Sequence, residues 1–458
     1  MRSSYLQIKR IFLLFATGIQ FLSVQPVMAQ KKWSLQDCIM YAFEHNIQIK
    51  QQNLNVQANG NNLFQSKMDL LPNMNASGNM GESFGRALDQ TTYTFSDQRI
   101  KSTGFSVNSS MTLFRGLQQY NTIRQNEINL LASQEDANRI KNQIALFIAG
   151  SYLQILLDME LLDAAKNQLE ITNQQAERTS KLVNAGSLPR GSLLEIQSQA
   201  ASEELQVINS QNNLETAYLT LTQYLDLDST GGFEIEVPRL QVVDQPLNVT
   251  IGSVYDEAHS FLPQIKSAEY QLESARRNVD IARGARSPSL SLSTSYGSSY
   301  SDIRKLVDPV TFEQKDYPFG DQMKDNANTS IGLGISVPIF NGWSVNNYIS
   351  NARINMMNSK LELENTENQL YKDIQKAYTD AIAARKRYFA TEQALIAMEE
   401  SFRYTEEKFV VGLINTVDYN SEKNRLASTQ SDLLQSKYDF IFKTKILDFY
   451  RGLPLSLE

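Results

Sequence analysis

Cysteine is all but missing from this chain. Cys38 stands alone, so neither an intramolecular disulfide nor a thiolate metal cluster can form. Histidine is almost as scarce: His45 and His259 leave little material for imidazole acid/base chemistry or a multi-histidine metal site. There is no basic block either. Lysine and arginine number 43 against 50 aspartates and glutamates, giving a formal charge of -7 and a pI near 5.2. Phosphate binding needs a concentrated basic face, so a nucleic-acid partner is excluded. No nucleophile elbow, phosphate loop or metal-ligating cluster is found. The chain therefore reads as a non-enzyme without a cofactor. Its acidic pairs, Glu203-Glu204, Glu399-Glu400 and Glu406-Glu407, are adjacent in sequence, diverge around a helix, and read as solvated faces.

Long apolar runs are also absent beyond the start. There, Arg2, Lys9 and Arg10 precede the apolar stretch Ile11 to Leu22, and Val27-Met28-Ala29 offers a peptidase small or apolar residues. Residues 1-29 are thus expected to be a signal peptide, cleaved after Ala29. Leu35-Gln36-Asp37-Cys38 lies past the apolar stretch with an acid before the cysteine, so Cys38 reads as ordinary rather than lipidated. After the leader no apolar run is expected to cross a bilayer as a helix, and any membrane entry must use strands.

What the sequence does contain is a duplication. Gln48-Ile49-Lys50 matches Gln264-Ile265-Lys266 and Pro72 matches Pro288 at an offset of 216. Phe114 pairs with Phe340, Gly116 with Gly342, Tyr152 with Tyr378, Gly186 with Gly412 and Tyr224 with Tyr450 at an offset of 226. The second half carries ten extra residues between its paired strands.

The hydrophobic pattern supports the repeat. Met74, Ala76, Gly78 and Met80 alternate with Asn73, Asn75, Ser77 and Asn79, and Leu290, Leu292, Thr294 and Tyr296 alternate with serines in the same phase. Phe105, Val107, Met111 and Leu113 correspond to Ile331, Leu333, Val337 and Ile339. Period two marks a sheet with one apolar and one polar face. After each returning strand the period changes to about seven: Ile123, Leu130, Ala137 and Ile144, then Ile148, Ile155, Leu162 and Leu169. The second half gives Ile349, Met356, Leu363 and Leu370, then Ile374, Ala381, Tyr388, Leu395 and Phe402. Such spacing keeps an apolar seam against a neighbouring helix. Trp343 to Val411 contains neither glycine nor proline, so one helix of roughly 100 Å is predicted there at 1.5 Å per residue.

The first repeat is expected over 30-225, with strands at 73-84 and 104-114, a long helix at 117-185 and a return helix at 192-225. A linker occupies 226-250, marked by Gly231-Gly232, Pro238 and Pro246. The second repeat spans 251-458, with strands at 289-300 and 329-340, a long helix at 343-411 and a return helix at 416-450. Four strands cannot close a barrel, and an open sheet edge in lipid leaves backbone groups unpaired at several kcal/mol each. Several copies must pool strands; eight would leave no opening, whereas three copies give twelve and a lumen. The fold expected is mainly α with a β-barrel part. Polar helix residues such as Gln134, Asn138, Asn142, Asn365 and Gln369 suit a hydrated conduit as well as a solvated surface.

Leu113-Phe114-Arg115-Gly116, Ile339-Phe340-Asn341-Gly342, and Phe409-Val410-Val411-Gly412-Leu413 followed by Asp418 resemble the TolC family of outer-membrane efflux proteins over nearly the entire mature chain. The resemblance implies a homotrimer in outer-membrane lipid with a twelve-stranded barrel and an α-helical periplasmic tunnel. It also implies a periplasmic adaptor (membrane fusion protein) and an inner-membrane transporter of RND or ABC type. The adaptor-docking tip would be Ala185, Gly186, Ser187 and Leu188 with Val411, Gly412, Leu413 and Ile414. Asp418 matches a family position at the tunnel constriction; the second acid common one turn on is replaced by Ser421. An Asn-Pro pair usual in the short helix of each half survives as Asn46-Ile47 and Leu262-Pro263. Type I protein secretion is the alternative cargo, and a structural periplasmic coiled coil the alternative class.

Overall fold

A computed structural model of the chain describes residues 32-88, 94-229, 231-240, 242 and 249-457. The expected signal peptide, residues 1-29, and Pro246 of the linker lie outside the described residues. The first repeat runs α1 (Leu35–His45), α2 (Ile47–Met68), β1 (Asn73–Leu88), β2 (Phe95–Arg115), α3 (Gln118–Asn184) and α4 (Arg190–Tyr224). The second runs α5 (Ile251–Phe261), α6 (Pro263–Gly284), β3 (Ser289–Ser301), β4 (Lys305–Val307), β5 (Gln314–Asp316), α7 (Phe319–Asp325), β6 (Asn328–Ser336), α8 (Ser344–Val410) and α9 (Thr416–Tyr450). The half-kept Asn-Pro pair has a physical role in each repeat. Asn46 caps α2 through its side chain, accepting from Gln48 N and Ile49 N, while Pro263 occupies the first turn of α6 where no donor is missed.

Four strands form one antiparallel sheet in the order β1-β2-β3-β6. Met74, Ala76 and Gly78 share a face with Val107 and Phe105, then with Tyr296 and Leu292, then with Leu333 and Ile335. The opposite face is a field of hydroxyls and amides, with Ser77 bonded to Ser106 at 2.9 Å and Ser295 to Ser330 at 2.8 Å. Between Thr112 and Phe114 the register shifts, so that Phe114 and not Leu113 pairs with Leu290. Simple alternation assigned Leu113 to the apolar row. The bulge makes it the extra residue and hands the position to Phe114.

Strand lengths depart from the periodicity. β1 and β2 extend past the alternating stretch into a charged hairpin, where Arg99 pairs with Glu82 across the strands. β6 ends at Ser336, short of 340, because Pro338 supplies no amide to the ladder. The connection between paired strands, longer in the second half, holds the β4-β5 hairpin and α7. Gln322 of α7 is fully buried, and its side-chain amide donates to Ser301 O at 3.0 Å while accepting from Ser301 N at 3.1 Å. Asn326 donates to Ser299 O at 2.6 Å. Since β6 begins opposite Gly297, these amides satisfy the β3 edge that β6 leaves unpaired.

The long helices α3 and α8 have 67 residues each, and the return helices α4 and α9 have 35 each. The long helices match in length because each ends at a duplicated glycine, Gly186 or Gly412, while the return helices end before Asp226 and Gly452, both at positive φ. Heptad residues fill the seams: Ala137, Ile144, Ile148, Ile155 and Leu162 in α3, and Ile349, Leu370, Ile374 and Ala381 in α8, are buried. The largest core joins α1, α3, α4 and the linker, where Tyr152 donates to or lies against the carbonyls of Trp33 (3.1 Å) and Glu236 (2.6 Å). Part of α3 is apolar enough in length and composition to cross a membrane, contrary to the expectation of no such run. Half of that stretch is buried within the protein, the pattern of a core helix.

At both strand-to-helix junctions two successive residues adopt the left-handed conformation: Gly116 (φ 56°) with Leu117 (φ 60°), and Gly342 (φ 59°) with Trp343 (φ 67°). Gly116 is also crowded, since a Cβ there would stand 2.3 Å from Gly284 O, whereas one at Gly342 meets nothing. Gly116→Ala is therefore expected to lose on the order of 2-4 kcal/mol, from the left-handed backbone plus the clash, and Gly342→Ala only about 1-2 kcal/mol. Urea unfolding of the unassembled chain in detergent, followed by tryptophan fluorescence, measures the difference. Equal losses would contradict the close approach to Gly284.

Candidate partner-docking tip and constriction

Each long helix ends in the same hydrogen-bonded motif. Ser187 N donates to Leu182 O at 2.9 Å and Gly186 N to Val183 O at 3.0 Å; Leu413 N donates to Lys408 O at 2.9 Å and Gly412 N to Phe409 O at 3.0 Å. The glycines sit at φ 71° and 76°, which closes the turn and satisfies the last carbonyls. Open space around both shows that conformation alone demands glycine.

Exposed apolar side chains ring the turns. Leu413 is 75% and Val411 69% exposed, joined by Val410, Leu188 and Val417; Ile414 is half-buried. Ala185, Gly186, Ser187 and Leu188 are all exposed. The return helices start differently. Asn415 caps α9 by accepting from Asp418 N at 2.8 Å, while Pro189 stands at the corresponding place before α4 without a side-chain bond. A bond from Gln175 of α3 to the Tyr419 hydroxyl of α9 ties the hairpins together roughly three helical turns before Gly186, placing both turns at one end of the molecule.

Asp418 is exposed in the first turn of α9, where a carboxylate interacts favourably with the helix dipole. The next residue sets its direction. Tyr419 is buried, stacked on Phe409 at 4.4 Å and tilted against Phe402 at 5.5 Å. Burial pushes the Tyr419 hydroxyl above its ordinary pKa, partly offset by the bond from Gln175. With Tyr419 packed inward, Asp418 is left on an open face, with Ser421 also exposed.

One polar cluster near this end was invisible to the sequence reading. Lys423 of α9 and Glu203 of α4 are an ion pair at 3.4 Å with side chains only 3% and 9% exposed. Thr172 of α3 donates to Glu203 and receives Lys423, and Lys423 also reaches Gln168 O at 3.4 Å. Glu203 is thus buried rather than solvated as expected; Glu204, Glu399, Glu400, Glu406 and Glu407 are exposed. Adjacency hid the difference, because only one residue of such a pair can face the α3-α9 seam. Burial holds Lys423 below the ordinary lysine range, with Glu203 opposing.

Removing one member of this pair leaves the other charge buried and unpaired. Lys423→Met is expected to cost roughly 3-5 kcal/mol, whereas adding Glu203→Leu to it should recover most of the loss. Chemical denaturation of the two variants reads this directly, and a double variant as unstable as the single one would contradict it.

Comparison with known proteins adds to the geometry. The model of the family described as outer membrane efflux protein matches residues 39-226 and again 254-441, the two repeats. The outer membrane efflux protein BepC of Brucella suis biovar 1 (strain 1330) is 19% identical over 408 residues, covering 89% of this chain and 83% of BepC. The outer membrane protein TolC of Escherichia coli (strain K12) is 21% identical over 309 residues, or 65% of this chain and 59% of TolC's length. Among solved structures, the Campylobacter jejuni CmeC outer membrane channel superposes with a TM-score of 0.76 at 17% identity, over 92% of this chain and 86% of that one, a likeness of fold. With both repeats matched and the two-faced sheet and paired long helices in place, the chain belongs to the outer membrane efflux protein family.

Proposed function

We propose that three copies pool their sheets into a twelve-stranded barrel in the outer membrane, continued by an α-helical periplasmic tunnel. The trimer passes small substrates outward from an inner-membrane transporter of RND or ABC type through a periplasmic adaptor. One observation carries this reading: a four-stranded sheet with an apolar face, a polar face and two open edges leads directly into helices of 67 residues. In hydrocarbon the open edges of β1 and β6 are tolerable only when another copy pairs with them. The helices support the same assembly. α6 packs against both α3 and α8, whereas its counterpart α2 packs chiefly against α3. That leaves Leu54 and Phe64 of α2 exposed, along with Ile354, Met357 and Leu361 of α8, as flanks for a neighbouring copy.

On this reading the apolar turns at Gly186 and Gly412 are where helical hairpins of the adaptor dock. Asp418 faces the constricted end, where three carboxylates attract cations. Cargo is drugs, dyes or metal ions, and a peptide-exporting ATPase found with the adaptor would move the assignment to protein secretion.

Inserting an Asp-Lys pair between Gly412 and Leu413 is expected to abolish dye efflux from cells while leaving trimers in the outer membrane, scored by heat-modified gel mobility. Full efflux in that variant would remove the tip from docking. Asp418→Asn is expected to lower cation preference in single-channel recordings, most clearly at about 0.01 M salt, where the Debye length is about 30 Å. An unchanged ion preference would place Asp418 away from the pore.

A further inference from the structure

The sheet register sorts every strand residue onto one of two faces, and the charges fall almost entirely on one of them. On the face of Asn73, Asn75 and Ser77, the residues are serine, asparagine, threonine or glycine from Asn73 to Ser83, Ser102 to Thr112, Ser289 to Ser301 and Asn328 to Ser336. Glu82, Arg86, Asp97, Arg99 and Lys101 of the β1-β2 hairpin all belong to the other face, paired as Glu82 with Lys101 and Arg86 with Asp97. If lipid covers the apolar face, the hydroxyl and amide face lines the lumen, and it is uncharged.

The exception is Arg115. It pairs with Ser289, and so shares the hydroxyl face at the last rung of β2. The bulge puts it there: were Leu113 paired in regular alternation, Arg115 would keep the phase of Phe105, Val107 and Met111 and present a guanidinium to lipid. Arg115 is exposed, and among the described residues no carboxylate lies within ion-pair distance of it. Its counterpart in the second repeat is Asn341, so each chain brings one such cation. Gly116 and Leu117 follow at once, turning the strand into α3.

We infer that Arg115 of three copies forms a ring of positive charge on the lumen side of the barrel base, on an otherwise neutral wall, and that this ring makes the barrel favour anionic solutes such as carboxylates. The inference rests on the trimeric channel reading. A ring of like charges at a junction of two wall segments raises the local concentration of counter-ions and repels co-ions, and the neutral surfaces above it do nothing to cancel the effect. It acts in series with Asp418 and with the opposite sign.

The test uses purified full-length protein in planar bilayers under a potassium chloride gradient. Arg115→Gln is expected to shift the reversal potential toward cation preference and Arg115→Glu to shift it further, with Arg115→Lys close to wild type. The shifts should grow as salt falls from 1 M toward 0.01 M, as the Debye length rises from about 3 to about 30 Å. Arg115→Cys gives an independent readout, because Cys38, the only native thiol, is fully buried. A negatively charged methanethiosulfonate should move that variant in the Arg115→Glu direction and a positively charged one should restore the wild-type potential. Conducting channels whose ion preference is the same in Gln, Glu and modified Cys variants would overturn the ring. Absence of conductance in the wild type would instead overturn the channel reading, and the ring with it.

Discussion

An amide or carbonyl in hydrocarbon has no water to bond, and the open edges of a four-stranded sheet are rows of such groups. The chain shows how it treats an edge it must close itself. Before Asn328, where β6 begins, Gln322 and Asn326 bring side-chain amides to Ser301 and Ser299 and complete the ladder from α7. The outer edges of β1 and β6 lie beyond the reach of that device, and both strands turn apolar side chains outward. In the proposed barrel, an edge finished with amides ends a wall, whereas an edge left open continues one. The outer-membrane location shared by the family makes lipid the medium in which this distinction has its full energetic weight.

The duplication lets each device be compared with its own copy, and the differences are as informative as the repeats. Gly116 and Gly342 share a backbone conformation, but only Gly116 is pressed against Gly284. α6 is enclosed by α3 and α8, while the corresponding flank of α2 is bare. In each case one copy makes a contact within its own chain that the other copy lacks. The proposed ring of copies would need this, with one set of contacts within a chain and the equivalent set between chains. Arg115 against Asn341 and Pro189 against Asn415 differ in another way, by a change of chemistry at the strand-to-helix junctions and at the helix turns.

Much of this plan was legible in the residues. Period two over Met74 to Met80 and Leu290 to Tyr296 reports a face, and a face in a regular sheet needs no tertiary information. The glycines at 186 and 412 report a left-handed turn for the same local reason. What could not be read depends on contacts between distant elements. The bulge at Leu113 is a mismatch in length between β2 and β3, invisible while β2 is considered alone. Glu203 looks like Glu204 until α9 brings Lys423 to one of them. The role of Gln322 arises because β6 is short, which Pro338 hints at but no pattern in α7 discloses. Asp418 was visible as an acid in a first helical turn, yet its orientation follows from the packing of Tyr419 on Phe409.

A conduit serving chemically varied cargo has opposing requirements: its wall must be wet, yet must not hold what passes. Hydroxyls, amides and glycine meet both, since they hydrogen-bond water without a fixed charge that would retain counter-ions. Lys423 and Glu203, buried in the helices, neutralise each other, so in the proposed channel this pair would contribute little field to the lumen. Selectivity then has to come from places where a charge stands exposed and unpaired, and where a narrow section makes it felt. In the proposed channel the ends of the helical segment are such places: Arg115 where strands become helices, and Asp418 where the helices turn back. In the proposed trimer, opposite signs at the two ends would keep either from making the whole passage a strong ion filter, which leaves discrimination between cargoes to the proposed pump.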